Sequence, residues 1–295
     1  MLKGIAAGFL AYGLFATTDA TTKALGPTMS VFEILFFLTL VSSTTFGFAK
    51  AREERWRDVF RMNRPWLVLL RSVAGVLGSL FAVYGFTTLH LAEAYSLLFL
   101  LPVFATILSI PILGEKVGWR RWAAVALGFA GVLLVVRPGF RELHLGHLAS
   151  VMGALMGAVT LTTLRVIGRS EQRMTLLSTL YLCILVVDGA LMIPHFHPPG
   201  PREVLIFTVG GLFAGFGQIA MLVATHYAPA NRIAPAQYSQ IVWAIIFGAV
   251  FFHEFPDGIA MAGITLVAIS GLFTLLREEQ LHGWSARTFL LRNRE

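Results

Sequence analysis

The chain of 295 residues is 56% hydrophobic and only 13% charged, whereas soluble domains usually carry about a quarter charged residues. This composition and a mean hydropathy of +0.74 exclude an ordinary soluble domain and predict a polytopic membrane protein. The net charge of +7 is therefore interpreted as membrane topology and not as a nucleic-acid surface. Cys183 is the single cysteine, which excludes an internal disulfide.

Apolar segments of membrane-spanning length follow one another along the whole chain. A bilayer crossing takes about 20 helical residues, and ten segments meet this length. The first ends without a small-residue cleavage site, so it is interpreted as a membrane helix and not as a removed signal peptide. The sequence thus predicts an all-α protein of ten spans. Spans one to ten cover residues 4–24, 30–49, 66–88, 93–113, 119–137, 146–167, 174–194, 203–226, 233–252 and 259–277.

The basic residues are divided unevenly between the two sides of this array. With a cytoplasmic N-terminus, eighteen of the 23 Lys and Arg lie on the inner side and four on the outer side, while Arg71 lies inside span three. Cytoplasmic loops carry the excess of Lys and Arg in membrane proteins. The distribution therefore predicts that both termini are cytoplasmic.

The chain contains an internal repeat. A shift of 139 positions pairs "GSLFAVYGFTTLHLAEAYSLLFLLPVFATILSIPILGE" with "GQIAMLVATHYAPANRIAPAQYSQIVWAIIFGAVFFHE" without a gap. We therefore expect a first five-helix repeat at 1–140, a second at 141–280, and a cytoplasmic tail at 281–295. Because five is odd, the second repeat enters the membrane upside down, which is typical of alternating-access transporters with a central site.

Each repeat closes a span with a glutamate, Glu115 in the first and Glu254 in the second. A carboxylate opposes the dipole at a helix C-terminus, so we expect it to bond the first amides of the next helix and to serve as a hinge. A direct coupling or proton-carrying role is the alternative. Pro102, near the middle of span four, is expected to free a carbonyl or bend the helix.

The segments "LLFLLPVFATILSIPILGEKVGWRRWAAVALGFAGVLLVV" and "YAPANRIAPAQYSQIVWAIIFGAVFFHEFPDGIAMAGITLVAISG" resemble the EamA-type repeat of the drug/metabolite transporter superfamily. The resemblance covers nearly the whole chain and is nearest to bacterial amino acid exporters, including aromatic ones. It implies ten helices, with spans three, four, eight and nine around a central cavity and spans one and six as gates. It also implies a bacterial inner-membrane exporter of small metabolites, most naturally amino acids. Export of drug-like organic cations is the alternative.

Polar and aromatic side chains at mid-membrane depth are candidates for the substrate path, because the lipid core offers them no water. Gln237, Gln240 and Trp243 are three residues apart on span nine and form one stripe. For each residue the alternative role is hydrogen bonding between packed helices. The expected substrate-binding residues are Tyr84, Tyr95, Ser96, Phe99, Gln218, Gln237, Tyr238, Gln240 and Trp243.

Charged residues inside the spans are few. Asp19, Glu33 and Asp188 fall toward outer ends, and Lys23 follows Asp19 at ion-pair spacing. We therefore expect a neutral centre of amides, hydroxyls and rings, which suits a zwitterion with an apolar or aromatic side chain.

The sequence gives little support to other kinds of chemistry. His195 and His197 in "IPHFHPP" could ligate a metal, but no further ligands follow at suitable spacing, so neither a metal nor a cofactor is expected. No nucleotide or hydrolase motif is present, which argues against an enzyme. A membrane-embedded enzyme and an accessory subunit remain alternatives of another class. The expected partners are a small-molecule substrate and the lipid bilayer, without nucleic acid, and the sequence is compatible with a monomer.

Overall fold

The computed structural model shows a bundle of α-helices. It describes residues 2–45, 61–114, 118–137, 143–168, 170–228 and 233–270. The helices of this part are α1 (Leu2–Leu25), α2 (Val31–Ser43), α3 (Pro65–Thr88), α4 (Leu91–Leu98), α5 (Leu101–Leu113), α6 (Trp119–Val136), α7 (Leu145–Ile167), α8 (Arg173–Met192), α9 (Pro201–Tyr227), α10 (Ser239–Phe252) and α11 (Gly258–Ser270). The described part also has two 3₁₀ turns. Ile193–His195 follows α8, and Ala234–Tyr238 precedes α10.

Several of these helices have the length and composition of membrane spans. In the described part, six qualify: Pro65–Thr88, Leu91–Ile112, Leu145–Ile167, Met174–Met192, Pro201–Tyr227 and Pro235–Phe252. Their outer surfaces expose large apolar side chains, including Val186, Leu205 and Phe251, each more than 60% exposed. Such surfaces suit lipid, and the protein is a multi-pass membrane protein of helical spans.

We use the term predicted outer end for the end of the bundle at which α1, α3, α6, α8 and α10 finish. Span ten can be compared only up to residue 270, because residues 271–277 lie outside the described residues. The predicted boundaries of the other spans agree with the helices to within a few residues, apart from span two. Its helix ends at Ser43, and the remainder of the predicted span, from residue 46, lies outside the described residues.

Span four differs from its prediction because it is not one continuous helix. α4 ends at Leu98 and α5 begins at Leu101, so the chain is interrupted at Phe99 and Leu100. Pro102 lies in the first turn of α5, where the missing N–H does no harm. Its carbonyl oxygen accepts a 2.8 Å hydrogen bond from the Thr106 hydroxyl. Pro102 has no N–H to donate to the carbonyl of Leu98, four residues earlier, and α4 ends at Leu98.

Contacts between helices of the first half and the second half occur in equivalent pairs. α1 packs along α9, and α7 packs along α3 in the same way. α2 contacts α9 while α8 contacts α3, and the pairs α2–α8 and α4–α10 lie between the halves. This arrangement is the one expected of inverted repeats related by a pseudo-twofold axis.

Small residues allow these helices to approach closely. A Cβ atom on Gly131 of α6 would lie 2.8 Å from the carbonyl oxygen of Gly263 on α11. A Cβ on Gly211 of α9 would lie 2.6 Å from the Cβ of Val41 on α2. Closely packed helices in membranes use small residues in this way, so larger side chains at these positions would force the helices apart.

Two carboxylates fasten the halves to each other at opposite ends of the bundle. Glu33, in the first turn of α2, accepts a 2.9 Å hydrogen bond from the backbone N–H of His197 before α9. Glu171, before α8, accepts hydrogen bonds from the backbone N–H groups of Asn63 and Arg64 before α3, at 3.2 and 2.6 Å. Both glutamates are almost fully buried, and each one satisfies backbone donors belonging to the other half.

Candidate substrate site

A hydrogen-bonded chain of three side chains joins α1, α4 and α10 inside the bundle. The Tyr95 hydroxyl donates to the carboxylate of Asp19, and the Gln240 amide nitrogen lies 3.4 Å from the same hydroxyl. Tyr95 and Gln240 are buried. The Tyr95 hydroxyl thus donates to one partner and accepts from the other, which uses both of its hydrogen-bonding functions.

Aromatic rings extend this chain toward the middle of the bundle. The ring of Tyr95 lies 5.1 Å from that of Phe86 and 6.2 Å from that of Phe99. Phe99 in turn stacks on Tyr238 at 5.0 Å with an interplanar angle of 21°. We call Phe86, Tyr95, Phe99 and Tyr238 the aromatic row. The interruption between α4 and α5 places Phe99 in this row, and the 3₁₀ turn before α10 supplies Tyr238.

The stripe expected on span nine does not act as one surface. Gln237 is on the 3₁₀ turn and half-buried, whereas Gln240 is on α10 and buried against Tyr95. Trp243 is more exposed and stacks on Phe247 at 5.4 Å. Its indole nitrogen would lie 3.4 Å from a Cβ built on Gly13 of α1. The change from a 3₁₀ turn to an α-helix within this segment turns the three side chains toward different neighbours.

The remaining expected residues lie around this centre. Ser96 is fully buried, and its hydroxyl donates to the carbonyl of Ala92 within α4. Tyr84 on α3 and Gln218 on α9 are half-buried. Of the nine expected residues, the structure therefore brings Tyr95, Phe99, Tyr238 and Gln240 into mutual contact.

A buried ion pair lies one helical turn beyond Asp19, at the predicted outer end. The Lys23 ammonium is 2.7 Å from the Glu254 carboxylate, with side chains only 11% and 15% exposed. Lys23 also donates to the carbonyl of Leu89 and lies 5.4 Å from the ring centre of Phe252. The second oxygen of Glu254 accepts a 3.0 Å hydrogen bond from the N–H of Leu91. We call the ion pair and its two backbone bonds the outer latch.

The outer latch corrects two expectations. Lys23 binds Glu254 and not Asp19, although Asp19 is four residues away, because Asp19 is engaged by Tyr95. Glu254 does bond the first amide of a helix, but this helix is α4 of the other half and not the following α11. Asp257 caps α11 instead, accepting from the N–H of Ala260 at 2.8 Å. The corresponding expectation for Glu115 lies outside the described residues.

The structure adds Asp19 to the candidate site, whereas the sequence placed this residue toward an outer end and predicted a neutral centre. Asp19 is six residues from the end of α1, yet its carboxylate takes part in the hydrogen-bonded chain with Tyr95 and Gln240. The sequence signal for this role was available, because Asp19 and Lys23 are four residues apart and thus share one face of α1. Both side chains bind residues outside α1, so this face contacts the rest of the site.

A cavity lies at the predicted outer end. It has a volume of about 110 Å³ and is lined by α4, α10, α11 and the connection between the last two, with Glu93, Glu254 and Asp257 on its wall. The carboxylates are paired: Glu93 with His147 at 3.0 Å, Glu254 with Lys23, and Asp257 with Arg137.

The histidines at this end form ion pairs and caps. His90 lies 3.5 Å from Glu93, and this contact raises the pKa of His90 above its ordinary value. His147 reaches Glu93 across the bundle and caps α7 together with His144. Among the described residues, no group of three or more His, Cys, Asp or Glu side chains could hold a metal ion.

An apolar helical bundle with an aromatic and polar centre, closed at one end by a buried ion pair, is the build of a membrane transporter for small molecules. The chain belongs to the EamA-like transporter family, whose model matches residues 2–137 and 144–276. The two matched segments together cover most of the chain.

Relatives of named function carry different small molecules. The chain is 24% identical over 290 residues to an S-adenosylmethionine uptake transporter of Rickettsia prowazekii, covering 95% of this chain and 94% of the relative. It is 27% identical over 219 residues to a riboflavin transporter of Rhizobium johnstonii, covering 74% and 72%. A solved crystal structure superposes with a TM-score of 0.65 at 18% identity, covering 94% of this chain and 98% of that chain, which shows the same fold.

Proposed function

We propose that this transporter carries a small metabolite that combines a flat aromatic ring with a positively charged group. The observation that carries this proposal is the position of Asp19 directly beside the aromatic row, through the Tyr95 hydroxyl. Ring faces bind flat rings by offset stacking, and a carboxylate in the same site attracts a cation. An amide from Gln240 at the same place adds donors and an acceptor that orient the ligand.

The carboxylate decides the charge of the preferred substrate. A cation that enters the membrane interior without a counter-ion is costly by several kcal/mol, and Asp19 removes much of that cost. A neutral ring compound gains only the stacking contribution, about 0.5–1.5 kcal/mol per ring pair beyond buried area. We therefore expect cationic ring compounds to be carried better than neutral ones.

The relatives agree with this chemistry in part. S-adenosylmethionine has an adenine ring and a sulfonium cation, so it satisfies both requirements, while riboflavin has a flat ring system without the cation. Aromatic amino acids have a ring and an ammonium group, and Gln240 could donate to their carboxylate. Export of aromatic amino acids, the function expected from the sequence, is therefore the second candidate.

The outer latch supports a mechanism of alternating access within this proposal. In the present conformation α1 is held to the connection after α10 by Lys23 and Glu254. Release of this pair would let α1 separate from α4 and α10 at the predicted outer end, which would also separate Asp19 from Tyr95. We place the protein in the bacterial inner membrane with both termini cytoplasmic, on the strength of its basic residues.

Counterflow in proteoliposomes tests the proposal. Purified protein is loaded with unlabelled S-adenosylmethionine, phenylalanine or riboflavin, and entry of the same labelled compound is followed for wild type and Asp19→Asn. We expect counterflow of S-adenosylmethionine or phenylalanine, reduced about tenfold or more by Asp19→Asn, because loss of a charge-assisted contact costs about 1.5–3 kcal/mol. Counterflow of riboflavin should change little.

Glu203→Gln is the matched control, because it also removes one carboxylate from a helix but lies in the first turn of α9. It should behave like wild type. Absence of counterflow for all three compounds in wild type would overturn the proposed substrate class. An equal loss for all three compounds in Asp19→Asn would show that its charge does not select the substrate.

A further inference from the structure

Asp188 is a carboxylate for which the substrate site and the outer latch provide no role. It lies on α8, four residues before the helix ends at Met192, and it is fully buried. Neither of its carboxylate oxygens has a hydrogen-bond partner among the described residues. Buried carboxylates in proteins are normally paired or hydrogen-bonded, so this side chain requires an explanation.

The surroundings of Asp188 are apolar. Ile184, one turn earlier on the same face of α8, belongs to a buried cluster with Leu25, Met29, Ile34 and Val83. This cluster brings together the end of α1, the α1–α2 connection, α2 and α3. Asp188 therefore lies one turn beyond this cluster on α8, toward the predicted outer end.

Charged groups on the neighbouring elements are engaged elsewhere. α8 packs against α2, α3 and the 3₁₀ turn Ile193–His195. On α2, the carboxylate of Glu33 binds Ser30 and the N–H of His197. On α3, Arg71 donates to the carbonyl of Leu176, which is twelve residues from Asp188 along α8, about 18 Å. The other titratable groups on these segments are Tyr84 on α3, Arg173, Tyr181 and Cys183 on α8, and His195 and His197 beyond the end of α8.

A negative charge is not compatible with this position. Burial of an ionised carboxylate without a partner costs several kcal/mol even after relaxation, so the neutral acid is strongly favoured. We propose that Asp188 is a proton-binding site, and that closure of the predicted outer end requires a proton on this carboxylate. When α1 separates from the cluster, water reaches Asp188 and the proton is lost to the solution on that side.

The contacts of α1 explain why closure and protonation are linked. The end of α1 carries Leu25 of the apolar cluster and, two residues earlier, Lys23 of the outer latch. The turn after α1 is packed tightly on α3, since a Cβ on Gly26 would lie 2.7 Å from Thr87. The same movement of α1 would therefore open the outer latch and expose the cluster around Asp188. Low pH favours the closed end, and high pH favours the open end.

Infrared spectroscopy tests the proton directly and needs no substrate. Protein in lipid is measured at about pH 7 with and without aspartate labelled by carbon-13 at the side-chain carboxyl. We expect a carbonyl band of a protonated carboxylic acid that shifts with the label, and that is absent from both Asp188→Asn and Asp188→Leu. Persistence of the band in both variants, or its absence from wild type, would overturn the proposal.

A cysteine probe tests the link to closure. Ala20 is buried on α1, in the cluster that contains Tyr95, so a cysteine there becomes reactive only when α1 separates from α4. Labelling of Ala20→Cys in a Cys183→Ala background is compared with that of Phe255→Cys, which is 75% exposed and corrects for titration of the thiol itself. The ratio of the two rates should rise with pH, by up to about tenfold per pH unit, as expected for one proton.

In the Asp188→Asn background the same ratio should be low and independent of pH, because the amide stays neutral. Asp188→Leu should behave in the same way, which guards against an effect peculiar to the asparagine. A ratio that does not change with pH in wild type, or that changes equally in both variants, would overturn the link to closure. These measurements do not depend on the substrate, so they can fail or succeed separately from the proposed function.

Discussion

Lys23 and Glu254 form a buried ion pair at 2.7 Å between the end of α1 and the connection that follows α10. Each partner has a second bond to the α3–α4 region, Lys23 to the carbonyl of Leu89 and Glu254 to the N–H of Leu91. The pair therefore joins three segments that belong to both halves of the chain. Truncation of either partner leaves a buried charge without compensation, which is costly.

Loss of the latch should open the predicted outer end. In Lys23→Ala, we expect the closed state to lose about 1–3 kcal/mol, which changes the population ratio by about 5-fold to 150-fold. Spin labels at Leu148 and Phe255, both exposed at this end, allow the distance distribution to be measured by double electron–electron resonance. Longer distances should gain weight in Lys23→Ala and in Glu254→Gln.

The control for this prediction is another ion pair at the same end. Arg137 and Asp257 are more exposed, 19% and 44% at the side chain, and they join α6 to α11. Exposed pairs contribute only about 0–1 kcal/mol, so Arg137→Gln should leave the distances unchanged. Equal effects of Arg137→Gln and Lys23→Ala would mean that the latch has no special role in closure.

The hydrogen bonds that Glu33 and Glu171 accept from the other half should contribute to stability to a similar degree. Glu33→Gln and Glu171→Gln each weaken hydrogen bonds from buried backbone donors to a charged acceptor, so each should lower the free energy of unfolding by about 1–3 kcal/mol. Denaturant titration in mixed micelles measures the change. Glu203→Gln serves as the reference, and a loss no larger than that of the reference would contradict this prediction.

Ring stacking should depend on Phe99 more than on Trp243. Phe99 is buried between Tyr95 and Tyr238, whereas Trp243 is 37% exposed and stacks on Phe247. Phe99→Leu should therefore weaken binding of a ring substrate by about 0.5–1.5 kcal/mol beyond the area effect. Trp243→Leu should have a smaller effect in the same counterflow assay, and the reverse order would place the site closer to Trp243.

The orientation of the chain is open to a direct labelling test. Arg61 is exposed and Pro199 is half-buried, and they lie on opposite sides of the predicted membrane. Single cysteines at these positions, in a Cys183→Ala background, are treated with an impermeant thiol reagent on intact cells. We expect labelling at 199 and not at 61, because most Lys and Arg lie on the side of Arg61. The opposite pattern would invert the topology.

The helical spans could be predicted because apolar length alone defines a membrane crossing. The residues Tyr95, Phe99, Tyr238 and Gln240 could also be selected, since polar and aromatic side chains are conspicuous within apolar helices. Their mutual contacts could not be predicted, because Phe99 and Tyr238, like Tyr95 and Gln240, lie far apart in the sequence.

The partners of the charged residues were harder to predict. A spacing of four residues permits an ion pair between Asp19 and Lys23, but it equally places both on one face of α1. Whether Asp19 and Lys23 pair with each other or with other helices depends on distant residues. Tyr95, the partner of Asp19, is 76 positions away from it, and Glu254, the partner of Lys23, is 231 positions away. Local pattern does not contain this information.

The hydrogen bonds of Glu33 and Glu171 between the two halves have a consequence for the biogenesis of the protein. The N–H of Asn63, before α3, bonds to Glu171, which is synthesised 108 residues later. Glu33 accepts a hydrogen bond from the N–H of His197, which is synthesised 164 residues later. During translation, the first five spans therefore emerge with buried donors and acceptors that have no partner until α8 and the start of α9 are inserted. Neither half is a complete folding unit, so separately expressed halves should be degraded unless they meet in the same membrane.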